Sequence, residues 1–303
     1  MDSLEEEGEF IKPYTVKTTT QNFDLIIPLE QQVKFDQESL LDKTGIDRRQ
    51  RLDGVTKYPF NSQVPLKNFY KGTMSLGTGS VIDDYCVLTV AHNIIKLDQG
   101  ENPYFLDKSS GLVQRDNFFC GFYNKTESEW GWIEPKAIFV SPSYLSAKTD
   151  FERKEQDFAL LCFKQKIIDY VGTKLEIDPR YCTQEFLSNY QKNGGGKILI
   201  GGFPADKVEV YKVKSMVNRH KPILYKHSDK ITSYGERLFG HGVDTTAGQS
   251  GSAMIINVDK RAYLVGVHAY GTEPSNESEN SGVRLIKSKR ELLEKWIQTF
   301  KTI

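Results

Sequence analysis

Near the end of the chain the run Asp244-Thr-Thr-Ala-Gly-Gln-Ser-Gly-Ser-Ala-Met254 places Ser250 between Gly248 and Gly251. Small neighbours leave a serine hydroxyl open to a substrate and to backbone N–H groups. A neutral hydroxyl is still a poor nucleophile. It needs a base to take its proton, and the base needs an anion to fix its tautomer and stabilise the cation that forms. The chain has five histidines, His92, His220, His227, His241 and His268. His92 ends the apolar run Val87-Leu-Thr-Val-Ala-His92, and Asp157 opens Asp157-Phe-Ala-Leu-Leu-Cys-Phe163. Alone, these three features read as a strand-capping histidine, a strand-start aspartate and a surface loop. In the order His92, Asp157, Ser250 they supply a base, its orienting acid and a nucleophile. The N–H groups of Gly248 and Ser250 are then the candidate donors to an oxyanion.

The elements that must hold these groups surround them. From about residue 63, apolar runs rich in Val, Ile, Tyr and Phe alternate with turn residues, as in Val64–Tyr70, Thr78–His92, Pro135–Ser141, Gly196–Pro204 and Arg261–Gly271. Such runs predict short strands of a sandwich or barrel. The last segment differs. In Lys287–Phe300 the residues Leu292, Leu293, Trp296, Ile297 and Phe300 recur at helical spacing, with Ser288 as the expected N-cap and Glu291 three residues on. Residues 1–43 are acidic or Gln/Thr-rich and only weakly periodic, which predicts a partly disordered leader.

With 303 residues the chain can bury a large core, and its 40 basic and 40 acidic side chains give no global field toward nucleic acid or an anionic membrane. No apolar run has membrane-spanning length, and the N-terminus lacks the basic and apolar regions of a secretory signal, which leaves the compartment open. Cys86, Cys120, Cys162 and Cys182 lack paired CxxC spacing, so neither a metal nor a cofactor is expected. Cys86 and Cys162, in apolar runs, are expected as small buried hydrophobes.

The boxes Thr89-Val-Ala-His-Asn93, Asp157-Phe-Ala-Leu-Leu161 and Gly248-Gln-Ser-Gly-Ser-Ala-Met254 resemble the three catalytic boxes of chymotrypsin-like serine proteases. Three further segments are similar to the glutamyl endopeptidase branch: Gly45–Phe60 with its Asp-x-Arg-x-Arg and Thr-x-x-Pro-aromatic elements, Gly201–Lys207, and Gly266-Val-His-Ala-Tyr-Gly271. The similarity runs from about 45 to 300. It implies an all-β fold of two six-stranded antiparallel barrels plus the C-terminal helix, with the triad in the cleft between them. The protease domain would span 44–303, with the boundary between barrels near 165–195 and residues 1–43 a pro-segment. Trypsin-like animal enzymes fit less well, because Asn93 and Thr246 stand where those enzymes place cysteines. The Arg-rich stretch Asp47–Arg51 is expected to form surface salt bridges.

The resemblance also implies a substrate pocket built by Thr245, His268, Ala269, Tyr270 and Gly271. His268 and Thr245 match residues that hold a glutamate carboxylate, and an imidazole with a hydroxyl suits an anionic side chain. Asp244, six residues before Ser250, stands where trypsin keeps the carboxylate that selects Lys and Arg. Cleavage after Glu and cleavage after Lys or Arg are therefore both open at this point, with Asp244 read as structural in the first case. The expected protein is a monomer acting on protein or peptide substrates, without nucleic acid, membrane or cofactor. An inactive protease-fold binding protein is the other reading, although no triad member is missing. An α/β hydrolase would place its histidine after the serine, which this chain does not.

Overall fold

The computed structural model describes residues 46–52, 57–70, 73–97, 104–115, 118–124, 129–192, 196–212, 218–271 and 279–302. The expected leader, 1–43, lies outside the described residues. After a two-residue strand, β1 (Gln50–Arg51), the N-terminal half runs through β2 (Gln63–Tyr70), β3 (Thr73–Val81), β4 (Cys86–Thr89), β5 (Tyr104–Asp107) and β6 (Leu112–Gln114). It continues with β7 (Phe118–Asn124), β8 (Glu129–Ile133), β9 (Ala137–Val140) and β10 (Ala159–Cys162). The C-terminal half holds β11 (Lys197–Gly202), β12 (Glu209–Lys212), β13 (Asn218–Lys221) and β14 (Tyr225–Tyr234). Its last strands are β15 (Leu238–His241), β16 (Ala253–Val258), β17 (Arg261–Tyr270) and β18 (Asn280–Arg284).

The second half closes on itself. Its order is β14-β11-β16-β17-β18-β15 with β15 pairing back to β14, a six-stranded barrel with β1 added to the outside of β14. The first half is a nine-stranded antiparallel sheet of order β5-β6-β9-β10-β4-β3-β2-β7-β8. It holds nine strands where six are expected, with the hairpins β5–β6 and β7–β8 at its two ends. β12 and β13 form a separate hairpin.

The all-apolar runs at β4 and β10 have a physical reason. Side chains alternate between the two faces of a strand. Ala159 and Leu161 enter the core of the first sheet, while Leu160 and Cys162 enter the large core shared with the second barrel. Cys86 and Leu88 of β4 likewise join the shared core, and Val87 joins the first. A strand buried on both faces reads as continuous hydrophobicity rather than alternation. Cys86 and Cys162 are fully buried, as expected, and lie opposite each other in register with their sulfurs 2.8 Å apart.

The C-terminal helix spans Lys287–Phe300. Its N-cap is Ile286 rather than the expected Ser288, because the chain leaves β18 directly into the helix and Ser288 falls within the first turn; Ile286 makes no side-chain cap bond. Leu293 and Trp296 are buried, with Leu292, Ile297 and Phe300 packed against the same core. The Trp296 ring lies 5.7 Å from Phe139 and 5.5 Å from Phe158, and its indole N–H donates to the Ser110 carbonyl at 2.7 Å. Full burial of such a ring stabilises by about 1.5–3 kcal/mol. Since Phe158 follows Asp157, the helix braces the strand entrance where that carboxylate sits.

Candidate active site

The pairing of β4 with β10 brings His92 and Asp157 together. Thr89 lies opposite Ala159 in an antiparallel register. Three residues past Thr89 and two residues before Ala159 therefore emerge at the same end of the sheet. Past β4 the chain tightens into a single 3₁₀ turn, Ala91–Asn93, which turns His92 toward Asp157. His92 Nδ1 lies 2.6 Å from Asp157 Oδ2, and the His92 backbone N–H donates to Oδ1 at 3.0 Å. The carboxylate is completely buried, whereas a quarter of the imidazole is exposed. Burial alone would raise the Asp157 pKa. The charge of His92 and hydrogen bonds from His92 and Tyr270 outweigh it and hold the carboxyl below its ordinary range.

Ser250 is held at its carbonyl by two donors from the first half, one backbone and one side chain. Its carbonyl accepts from the Thr78 N–H at 2.9 Å and from Asn93 Nδ2 at 2.7 Å. Asn93 also donates to Thr89 Oγ1 at 3.0 Å, and Thr89 Oγ1 donates to the Thr78 carbonyl at 2.8 Å. The residue after His92 thus ties the serine loop to the strand that carries the histidine. The Ser250 hydroxyl donates to the Ala269 carbonyl, at 3.3 Å.

The two glycines around Ser250 are there because no other residue fits. Gly248 has φ +90° and Gly251 φ +93°, both in the left-handed region. A Cβ on Gly251 would lie 1.9 Å from the Thr78 carbonyl oxygen, and one on Gly248 would lie 2.6 Å from that of Phe203. Thr78 Oγ1 holds the Gly248 carbonyl at 2.8 Å, which turns the peptide that follows. Among the described residues the N–H groups of Gly248 and Ser250 have no hydrogen-bond acceptor. Two unfilled backbone donors beside a serine hydroxyl can receive an oxyanion.

The stretch expected at the surface proves partly buried. Arg49 is 8% exposed, with its guanidinium on Asp47, Asp206 and Thr246 Oγ1 at 2.6–3.0 Å. Gln249 Oε1 accepts from the Thr246 N–H at 3.0 Å, so Arg49 braces the loop that delivers Ser250. Arg48 takes Asp244: its backbone N–H and Nε donate to Oδ2 at 2.9 and 3.1 Å, and Nη2 donates to Oδ1 at 2.6 Å. Asp244 is only 2% exposed, and a buried carboxylate requires such a partner. A sequence scan treats these arginines as solvated because, apart from Asp47, their carboxylate partners are distant, Asp206 157 and Asp244 196 positions away.

Of the remaining residues assigned to the pocket, Thr245, His268 and Ala269 are buried, while Gly271 is exposed. The Tyr270 hydroxyl points at Asp157 Oδ2, and its ring centroid lies 5.5 Å from that of His92. His241 was given no role from sequence. It lies with Nε2 3.1 Å from His268 Nδ1, both rings completely buried. The Val243 N–H donates to His241 Nδ1 at 3.2 Å. A backbone N–H can only donate, so His241 carries its proton on Nε2 and gives it to His268 Nδ1. His268 then bears its own proton on Nε2. Burial, then repulsion from His92, lowers the His268 pKa to about 3, so the ring is neutral near pH 7. Burial lowers His241 well below its ordinary value too. The signal that could have found His241 is the register of β15 with β18, where it faces Asn280 two residues from Gly282, the partner of His268.

Asp150 and Asp206, the other acids near these boxes, are engaged elsewhere, Asp150 with Arg153 and Asp206 with Arg49 and Thr246. Among the described residues no group of three His, Cys, Asp or Glu side chains could hold a metal ion, and no helix is long and apolar enough to cross a membrane.

No protein-family model and no curated protein sequence matches the chain. Solved structures do. A Glu endopeptidase in complex with MPD superposes with a TM-score of 0.54 at 22% identity, covering 82% of this chain and 96% of that one. Together with the closed six-stranded barrel, the nine-stranded sheet and the C-terminal helix, this gives the chain the chymotrypsin-like fold.

Proposed function

We propose that the chain is a serine endopeptidase acting on protein or peptide substrates through an acyl-enzyme. The observation that carries this reading is the coincidence of a buried Asp157 on His92 Nδ1 at 2.6 Å with a serine loop tied to the next residue, Asn93. In the proposed reaction the Ser250 hydroxyl leaves the long bond to Ala269 and passes its proton to His92 Nε2 as Oγ attacks the scissile carbonyl. Asp157 keeps the other ring nitrogen protonated and stabilises the imidazolium. The N–H groups of Gly248 and Ser250 receive the oxyanion. His92 then protonates the leaving amine, and a water molecule repeats the sequence in reverse to release the acid.

Cleavage after Glu is the preference this reading favours. Both Asp244 oxygens are occupied by Arg48, which leaves no free carboxylate to select Lys or Arg. The fixed tautomer gives His268 an Nε2–H donor, and Thr245 adds a hydroxyl. His268 Nδ1 already accepts the His241 N–H, so the ring stays neutral and its bond to a substrate carboxylate is charge-assisted through the anion alone. His268→Ala is expected to lower kcat/KM on Glu substrates ten- to a hundredfold, the loss of a charge-assisted bond worth about 1.5–3 kcal/mol. Ser250 should keep its labelling by a fluorophosphonate, which does not use the pocket. Efficient cleavage after Arg, indifferent to His268, would replace this specificity with the basic one.

The reading also includes a leader that restrains activity, based on the composition change near residue 43 and on the docking of Arg48 and Arg49 beside the serine loop. A chain beginning near Thr44 should turn over peptide faster than the full chain. Equal rates from the two would remove the pro-segment from the account.

A further inference from the structure

The Tyr270 hydroxyl points at Asp157 Oδ2, and resting on the peptidase reading above, we infer that Tyr270 is a positioning residue for the His92–Asp157 pair. Asp157 is completely buried, so each carboxylate oxygen must be satisfied from within the protein. Oδ1 accepts the His92 backbone N–H, and Oδ2 accepts from His92 Nδ1 and the Tyr270 hydroxyl. Among the described residues no other side chain donates to it. The residue before Tyr270 on β17 is Ala269, which offers a methyl group and uses its carbonyl to receive the Ser250 hydroxyl.

The local backbone explains why Tyr270 can reach so far. The β17–β18 register slips between His268 and Tyr270, and a bulge of this kind re-aims the next side chain. The ring then lies against the imidazole at 5.5 Å with an interplanar angle of 35°, and Lys154 Nζ sits 5.2 Å from its centroid. Tyrosine here closes one side of the imidazole and donates to the acid that orients it. Without the hydroxyl, Oδ2 would have one donor instead of two, and the carboxylate could swing away from His92. Burial, then the negative charge of Asp157, raises the phenol pKa, so the hydroxyl stays a donor throughout the working pH range.

Tyr270→Phe keeps the ring and removes only the donor. With a peptide substrate, kcat should fall about tenfold while KM stays nearly constant, and the rate of fluorophosphonate labelling at Ser250 should fall by a similar factor. In an Asp157→Asn background the same change should cost less than about twofold, because the path through the acid is already broken. A raised KM with unchanged labelling would make Tyr270 a wall of the substrate pocket and overturn the inference. An equal loss in both backgrounds would overturn it as well. Denaturant unfolding of the same four proteins should show coupling between the two positions, and independent stability effects would refute the contact itself. If the wild-type chain neither cleaves peptide nor labels at Ser250 while that coupling is present, the peptidase reading fails, and the positioning role with it, though the contact stands.

Discussion

Asp157→Asn is expected to lower turnover by roughly four orders of magnitude, the scale on which serine proteases lose activity when the acid becomes an amide. The geometry gives the reason. An asparagine can keep the bond from the His92 backbone N–H through its carbonyl oxygen. Its NH2 group then faces His92 Nδ1, where Asp157 Oδ2 now lies at 2.6 Å. Two donors cannot share that contact, so the imidazole must move its proton to Nε2 and cannot accept one from Ser250. The variant should fold, because the amide fills the same volume beside Phe158. Its circular dichroism should match wild type while its turnover collapses. Wild-type turnover in Asp157→Asn, with essential activity moved to Asp150 or Asp206, would show that a different carboxylate orients the base.

The second large effect is that of the nucleophile. Ser250→Ala should remove about six orders of magnitude in kcat, leaving only what binding and oxyanion donors supply. The fold has little reason to change. The bonds that seat the loop end on the Ser250 carbonyl, from the Thr78 N–H and Asn93 Nδ2, and the substitution retains both. The lost side-chain bond is a long one to Ala269. A denaturation midpoint near that of wild type, with turnover gone, is the expected pair of results. Turnover surviving in the alanine variant would place the nucleophile elsewhere, with Ser252 the nearest hydroxyl in sequence.

Much of this architecture was legible in the residues, for reasons that are local. β4 and β10 announced themselves because both faces are buried, which makes an unbroken apolar run. The helix at Lys287–Phe300 carried its stripe in the spacing of Leu293 and Trp296. Gly248 and Gly251 marked a turn that L side chains cannot adopt, and this gave the serine its setting. What escaped the sequence was non-local. Asp244 and Asp206 become neighbours of Arg48 and Arg49 only when the N-terminal segment docks on the second barrel. His241 meets His268 through a strand that separates them in the sheet, and no periodicity links positions 27 residues apart. The bulge before Tyr270, which aims its hydroxyl at Asp157, has no mark in the residue types. The number of strands in the first half escaped for a related reason, since short strands at the ends of a sheet look like any other turn-rich connection.

The central claim is that Ser250 is a nucleophile activated by His92. Its most direct test is mass-spectrometric mapping of the chain after reaction with a fluorophosphonate, in wild type and in His92→Ala. The account predicts a single adduct on Ser250 in wild type, formed at a rate that falls by orders of magnitude in the variant. An adduct on Ser252 or another residue, or labelling of Ser250 at the same rate without His92, would contradict it.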